Sequence, residues 1–169
     1  MTRGIGGSDA ATELAQLQDM SAGAEPIGDA EFAARLQRAQ QLMQAAGLDA
    51  LYLNAGTNLL YFTGTRWSPS ERMVGALIPA QGEPRYIAPA FELGTLQGFL
   101  RVAGEVRCWE EHESPYRLCA QLLKDMHVTT LGVDESTPFF IVDGLQQAAP
   151  QCRVQSATQI TAGCRMQKS

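Results

Sequence analysis

The side chains able to do acid–base or metal chemistry are few and scattered. The 169-residue chain has two histidines, His112 and His127, and four cysteines, Cys108, Cys119, Cys152 and Cys164. His112 stands within Glu110-Glu111-His112-Glu113. A histidine among carboxylates offers ligands to a divalent ion. The same composition suits a solvated turn ahead of a helix N-terminus, where negative charge is favoured, and that is the expectation here. His127 follows a helical segment ending at Met126 and suits the negative end of its dipole. No two cysteines have the spacing of a zinc knuckle or a thioredoxin motif. All four are read as small buried hydrophobes in a reducing compartment. A serine triad lacks its elbow, Gly-x-Ser-x-Gly, and no His-Glu-x-x-His occurs. No acidic residue falls inside an apolar strand, where burial would raise its pKa. No self-sufficient active site is expected.

Binding chemistry is concentrated instead in Thr57-Asn58-Leu59-Leu60-Tyr61-Phe62-Thr63-Gly64-Thr65-Arg66-Trp67. Gly64 lets the chain turn sharply. Arg66 is a bidentate donor to carboxylates, and Trp67 presents a flat apolar ring. Ser68-Pro69-Ser70-Glu71-Arg72 comes next. In a strand, Glu71 and Arg72 would face opposite sides. Gly4-Ile5-Gly6-Gly7 has no strand before it and no Gly-Lys-Ser after it, so it is not read as a phosphate loop.

The elements that must position these residues can be read from periodicity. Residues 1–25 are rich in Ala, Gly, Ser and Gln, and a loosely held tail with a short helix over Ala10–Met20 is expected. Asp29 reads as an N-cap. Phe32, Leu36, Ala39, Met43 and Ala46 then share a helical face, ended by Gly47. Strands are predicted over Asp49–Asn54, Tyr61–Phe62, Met73–Ile78, Arg85–Ala88, Glu105–Trp109, Leu131–Val133 and Cys152–Gln155, with a hairpin at Pro79–Pro84. Glu92–Leu100 is predicted helical. Ser114-Pro115 and Thr137-Pro138 each read as a cap followed by a first-turn proline. Ile141, Leu145 and Ala148 mark the buried face of the second helix. This order predicts an α/β fold with a mixed sheet of about six strands.

The Asn58 to Gly64 segment resembles an Asn-x-x-Tyr-(Leu/Phe)-(Thr/Ser)-Gly signature of the creatinase, prolidase and aminopeptidase P family. Arg165-Met166-Gln167-Lys168-Ser169 resembles the Arg-x-x-Lys-Ser element leading into that family's catalytic domain. The resemblance covers about residues 27–169. It implies a three-layer, ribonuclease H-like N-terminal domain with helices on both faces, over residues 26–164, and a linker starting at 165–169. It implies no metal and no catalytic residue in this chain. Two divalent ions (Mn, Co or Zn) would sit in a separate C-terminal catalytic domain. The implied whole is a homodimeric Xaa-Pro dipeptidase acting on proline-containing peptides. Its N-terminal domain would assist dimerisation and contribute Arg66, Trp67, Glu71 and Arg72 to the rim of the partner's active site. Leu60 replaces a large aromatic found in some aminopeptidase P members, which tilts the resemblance toward dipeptidases. A free-standing interaction module and the N-terminal domain of a creatinase-like amidinohydrolase are the alternatives.

The net charge of -5 gives no basic face for nucleic acid or an anionic membrane. No apolar run is long enough to span a bilayer and no signal-peptide core is evident, so a cytoplasmic location is expected. At this length a single domain can bury roughly 70% of its unfolded surface.

Overall fold

The structure, a computed structural model, describes residues 6–19 and 21–166. Gly4-Ile5, Met20 and the final Gln167-Lys168-Ser169 of the linker motif lie outside the described residues. In chain order the elements are α1 (Ala10–Ala15), α2 (Asp29–Ala46), β1 (Ala50–Asn54), α3 (Thr57–Thr63), β2 (Gly75–Pro79), β3 (Arg85–Pro89), a 3₁₀ turn (Ala90–Glu92), α4 (Leu93–Phe99), β4 (Glu105–Trp109), α5 (Pro115–Asp125), β5 (Thr130–Val133), α6 (Phe139–Ala148), β6 (Arg153–Ser156) and α7 (Thr158–Arg165). The six strands form one sheet in the order β4-β3-β2-β1-β5-β6. The β1/β2 and β2/β3 pairs are antiparallel; β3/β4, β1/β5 and β5/β6 are parallel. This is the expected mixed sheet, including the hairpin between β2 and β3.

Alternation along the strands divides the core into two layers, because successive side chains point to opposite faces. Leu51, Leu53, Ala76, Ile78, Tyr86 and Ala88 pack on one side with α2, α3, α4 and α7. Ala50, Tyr52, Leu77, Ile87, Leu131 and Val133 pack on the other with α5 and α6. All five residues of β1 are buried, as expected for a central strand covered on both faces. Asn54 there shows how a polar group is accommodated: its backbone N–H is taken up by a carboxylate at 2.6 Å.

Five local expectations need correcting. Tyr61-Phe62 is not a strand but lies in helix α3. Asn58, Leu59, Phe62 and Thr63 are its buried residues, spaced as one helical face, and Gly64 ends it in the left-handed conformation with φ 70°. The β-branched and aromatic composition suggested a strand, and burial of that face prevailed. Asp29 is not the cap of α2. Gly28 occupies that place, and Asp29 pairs with Arg101 at 3.0 Å. Thr137 is likewise one residue too early, since Pro138 is the N-cap residue of α6. On the inner faces of α2 and α6, Ala46 and Ala148 are not buried, whereas Ala149 is. Finally, Glu71 and Arg72 sit in a bend rather than a strand.

The cap read at Ser114 is present: its side chain accepts from the Arg117 N–H, with proline in the first turn. Gly47 ends α2 in the left-handed conformation. α1 falls within the expected segment but buries none of its residues. α7 has no counterpart in the sequence expectations and carries the helix through Arg165, the first residue of the expected linker. Among the described residues no helix is long and apolar enough to cross a membrane.

Candidate functional site

Four helices of one face fail to close over the sheet and leave a groove of about 1140 Å³. α3 supplies its floor and is tightly held. The Tyr61 hydroxyl donates to the Cys164 carbonyl at 2.7 Å, tying α3 to α7. Arg35 of α2 donates to the Tyr61 carbonyl at 3.0 Å and lies 4.1 Å from the Tyr61 ring centroid. Its guanidinium also pairs with Glu31 at 3.0 Å. Burial raises the Tyr61 phenol above its ordinary value, against the opposing pull of the Arg35 charge. Gly64 has no room for a side chain: a Cβ there would meet Arg101 at 2.8 Å and Phe32 at 2.9 Å. The Tyr and Gly of the sequence signature therefore serve the frame of the groove.

The lining combines apolar surface with positive charge. Ile27, Phe32, Leu60, Tyr61, Phe99 and Met166 supply the apolar part. Arg35, Arg66, Arg101 and Arg165 supply the charge. Arg101 is held by Asp29 and Arg165 by Glu135. Burial pushes the Glu135 carboxyl upward, but hydrogen bonds led by the Thr161 hydroxyl, with the Arg165 charge, bring it below its ordinary value. Arg66 is exposed and makes no ion pair among the described residues.

The four candidate rim residues separate into two places. Arg66 lines the groove. Trp67 is half-buried, packs on the core of that face and meets the Phe99 ring edge-on at 6.3 Å; it supports a lining residue rather than lining the groove. Glu71 and Arg72 lie outside it, paired with each other and, through Arg72, with Glu111 at 3.0 Å. The Arg72 guanidinium also sits 5.5 Å from the Phe91 ring centroid. Glu111 belongs to the acidic turn around His112, in which the Glu113 carboxylate accepts from the Glu110 N–H at 3.0 Å. That turn is exposed, as is His112.

A metal centre does not fit these residues: among those described, no three His, Cys, Asp or Glu side chains gather as a ligand set. The cysteines are free thiols. Burial raises all four above the ordinary thiol value, which keeps them protonated and poor nucleophiles. His127 adopts φ 55° just after α5, a helix-ending position.

Sequence reasoning missed one buried carboxylate. Asp134, at the end of β5, is 2% exposed. One oxygen accepts from the Asn54 N–H at 2.6 Å. The other accepts from Asn58 Nδ2 at 3.1 Å and from the Ser136 N–H at 2.7 Å, and the Ser136 hydroxyl joins them. With its acceptor sites filled by the fold, Asp134 is a structural hub. Arg35, Arg101 and Arg165 were also missed as groove residues.

The mixed six-stranded sheet carries helices on both faces and, on one of them, a groove lined by arginines and apolar side chains. The chain belongs to the creatinase/prolidase N-terminal domain family, whose model matches residues 35–167. It is 34% identical over 113 residues to a probable dipeptidase PepE of Mycobacterium tuberculosis, covering 65% of this chain and 30% of that protein. It is 31% identical over 98 residues to a putative dipeptidase YkvY of Bacillus subtilis, covering 56% and 26% respectively. The crystal structure of dipeptidase PepE from Mycobacterium ulcerans superposes with a TM-score of 0.74 at 30% identity, over 86% of this chain and 39% of that one. The N-terminal domain of an Xaa-Pro dipeptidase from Lactobacillus brevis shares the fold, with a TM-score of 0.66 at 21% identity over 79% of this chain and 99% of that one. The chain thus spans about a third of the length of the curated relatives it matches.

Proposed function

We propose that this chain is the non-catalytic N-terminal domain of a cytoplasmic, homodimeric metallopeptidase that cleaves Xaa-Pro dipeptides. Hydrolysis would fall to a C-terminal catalytic domain holding two divalent ions (Mn, Co or Zn). The observation that carries this reading is the match to the creatinase/prolidase N-terminal domain over residues 35–167, joined to a fold with no metal ligand set among its described residues. In this reading Arg66 is the substrate-rim residue, a cation free to meet a peptide carboxylate in the partner's active site. Trp67 fixes the wall beside it through Phe99. Glu71 and Arg72 act as a paired surface cluster at the edge of the same loop.

The test has two parts. The 169-residue chain, given Xaa-Pro dipeptides and Mn²⁺, should show no turnover; robust, chelator-sensitive turnover would overturn the assignment. In the full-length protein, Arg66→Ala should raise KM for dipeptides with little change in kcat. Unchanged KM would remove Arg66 from the rim.

A further inference from the structure

The groove lining is unlike the composition of the chain. The sequence carries 18 acidic and 13 basic residues, yet the charged side chains lining the groove are four arginines, with no carboxylate among them. Ile27, Leu60, Phe99 and Met166, all large apolar residues that remain exposed, line the same groove. Exposed apolar surface gathered at one place marks a binding surface, and arginine is enriched at such surfaces. The complementary occupant is an apolar segment that carries carboxylates.

The chain contains such a segment. Asp9 caps α1, Glu13 lies in its first turn, and Asp19 follows it. No Lys, Arg or His occurs between Gly6 and Asp19. Leu14 of α1 and Leu17, two residues past the end of that helix, are 65% and 73% exposed. α1 buries no residue of its own, and both leucines lie exposed in the arrangement seen. Its tether also leads to the right place, because Pro26 and Ile27 line the groove. Residues 20–26 can span at most about 25 Å at ~3.3–3.6 Å per residue. A tether that short holds the segment at an effective concentration on the order of millimolar.

We infer that residues 9–19 form a strap that closes over the groove. Leu14 and Leu17 rest on the Leu60 and Phe99 surface. Asp9, Glu13 and Asp19 face the arginine rim, with Arg66 as the cation not already paired. The structure holds the open arrangement. Closure occupies the surface that carries Arg66, so the strap competes with any other ligand or domain for that groove. The inference does not rest on the peptidase reading, and its test requires no activity.

Amide hydrogen exchange on the whole 169-residue chain tests it. Leu14→Asp combined with Leu17→Asp alters only exposed side chains and leaves the fold intact. If the strap is closed half the time, exchange at the Leu60 and Phe99 amides should be about twofold faster in the double variant than in the parent. Arg66→Glu should produce a shift in the same direction. Raised salt should also open the strap, since the contacts are exposed and screened. A synthetic peptide of residues 8–19, added to a chain lacking residues 1–19, should restore the slower exchange; the peptide carrying both aspartates should not. Equal exchange in the parent and the double variant would overturn the strap. Protection that grows with protein concentration would overturn it too, by assigning the occupant to a second copy.

Discussion

The two faces of the sheet are built from the same strands and end differently at the surface. On one, α5 and α6 lie tightly together: a Cβ at Gly144 would meet the Tyr116 ring at 2.7 Å. Trp109 closes the edge there, its indole N–H donating to the Met73 carbonyl at 3.2 Å. On the other, α2, α3, α4 and α7 stand around an open groove, and their polar contacts are side chains reaching between helices, such as Arg35 to Tyr61 and Tyr61 to Cys164. The closed face packs α5 on α6 and leaves Phe139 and Phe140, at the start of α6, exposed. The open face keeps large apolar groups and arginines at the surface. The difference teaches where surface is left for binding: both faces carry a buried core, and the open one adds a groove in front of α3.

The largest effect should come from the group that joins the two faces. Asp134 holds Asn58 of α3 on the open side and Ser136, ahead of α6, on the closed side. Asp134→Ala leaves the buried Asn54 N–H and Asn58 Nδ2 without their acceptor, at about 1–3 kcal/mol for each buried group. Loss of roughly 3–5 kcal/mol is expected by urea denaturation. Fluorescence from Trp67 on one face and Trp109 on the other, each read after replacing the other tryptophan by Phe, should report one shared transition. Two separated transitions would show that Asp134 does not couple the faces.

The next comparison is between faces. Leu122 is fully buried in the closed face, and Leu122→Ala should cost about 2–5 kcal/mol. Leu60 is exposed in the groove, and Leu60→Ala should change stability by no more than about 0.5 kcal/mol. Similar costs for the two would mean that Leu60 is packed into the fold rather than presented by the groove.

How much of this was legible depends on the distance over which each feature is determined. β4 and the β2/β3 hairpin were read correctly because alternation and turn chemistry are local. α3 was misread because seven residues rich in Tyr, Phe and Thr favour extended chain. Only Gly56 and Gly64, flanking a run with Leu59 and Phe62 three apart, hinted at a helix. Asp134 was missed because its burial arises when β1 and β5 pair across 80 positions; in sequence it is an ordinary polar residue after a strand. The groove is made by helices from four separate stretches. Of its arginines, only Arg66, next to the signature, could be singled out from spacing. Glu71 and Arg72 were adjacent in sequence as read, but the bend that lets them pair was not.

A smaller effect tests the helix ends of the two faces. α2 and α5 finish with the same pair of backbone bonds. Gly47 and Leu48 donate to Gln44 and Met43, and His127 and Val128 donate to Lys124 and Leu123. Both helices thus end in the motif that places the next residue in the left-handed region. Gly47 adopts it without strain, with φ 66°, while His127 adopts it with φ 55°. His127→Gly should therefore stabilise the closed face, by about 1 kcal/mol after the entropic cost of glycine. Gly47→Ala should destabilise by about 1–2 kcal/mol. A destabilised His127→Gly variant would assign the imidazole a contact worth more than the strain.

The smallest effect concerns the far end of the β1/β5 pair. Asp49 there mirrors Asp134: its Oδ2 accepts from the Thr129 hydroxyl at 2.7 Å, the Thr129 N–H at 2.8 Å and the Thr130 N–H at 2.9 Å. These bonds, led by the Thr129 hydroxyl, hold its carboxyl below the ordinary value. A depressed carboxyl stabilises the fold fully above its unfolded pKa of about 3.9. That contribution is lost as pH falls through the lower folded value. Asp49→Asn keeps the shape without the charge. The parent should thus exceed the variant in urea midpoint at pH 6, and the gap should narrow as the pH drops below about 4. Being partly exposed, this site should give a smaller gap than Asp134→Ala. A gap that persists unchanged into acid would show that the Asp49 charge contributes nothing, leaving the pairing of β1 with β5 to the buried carboxylate at its other end.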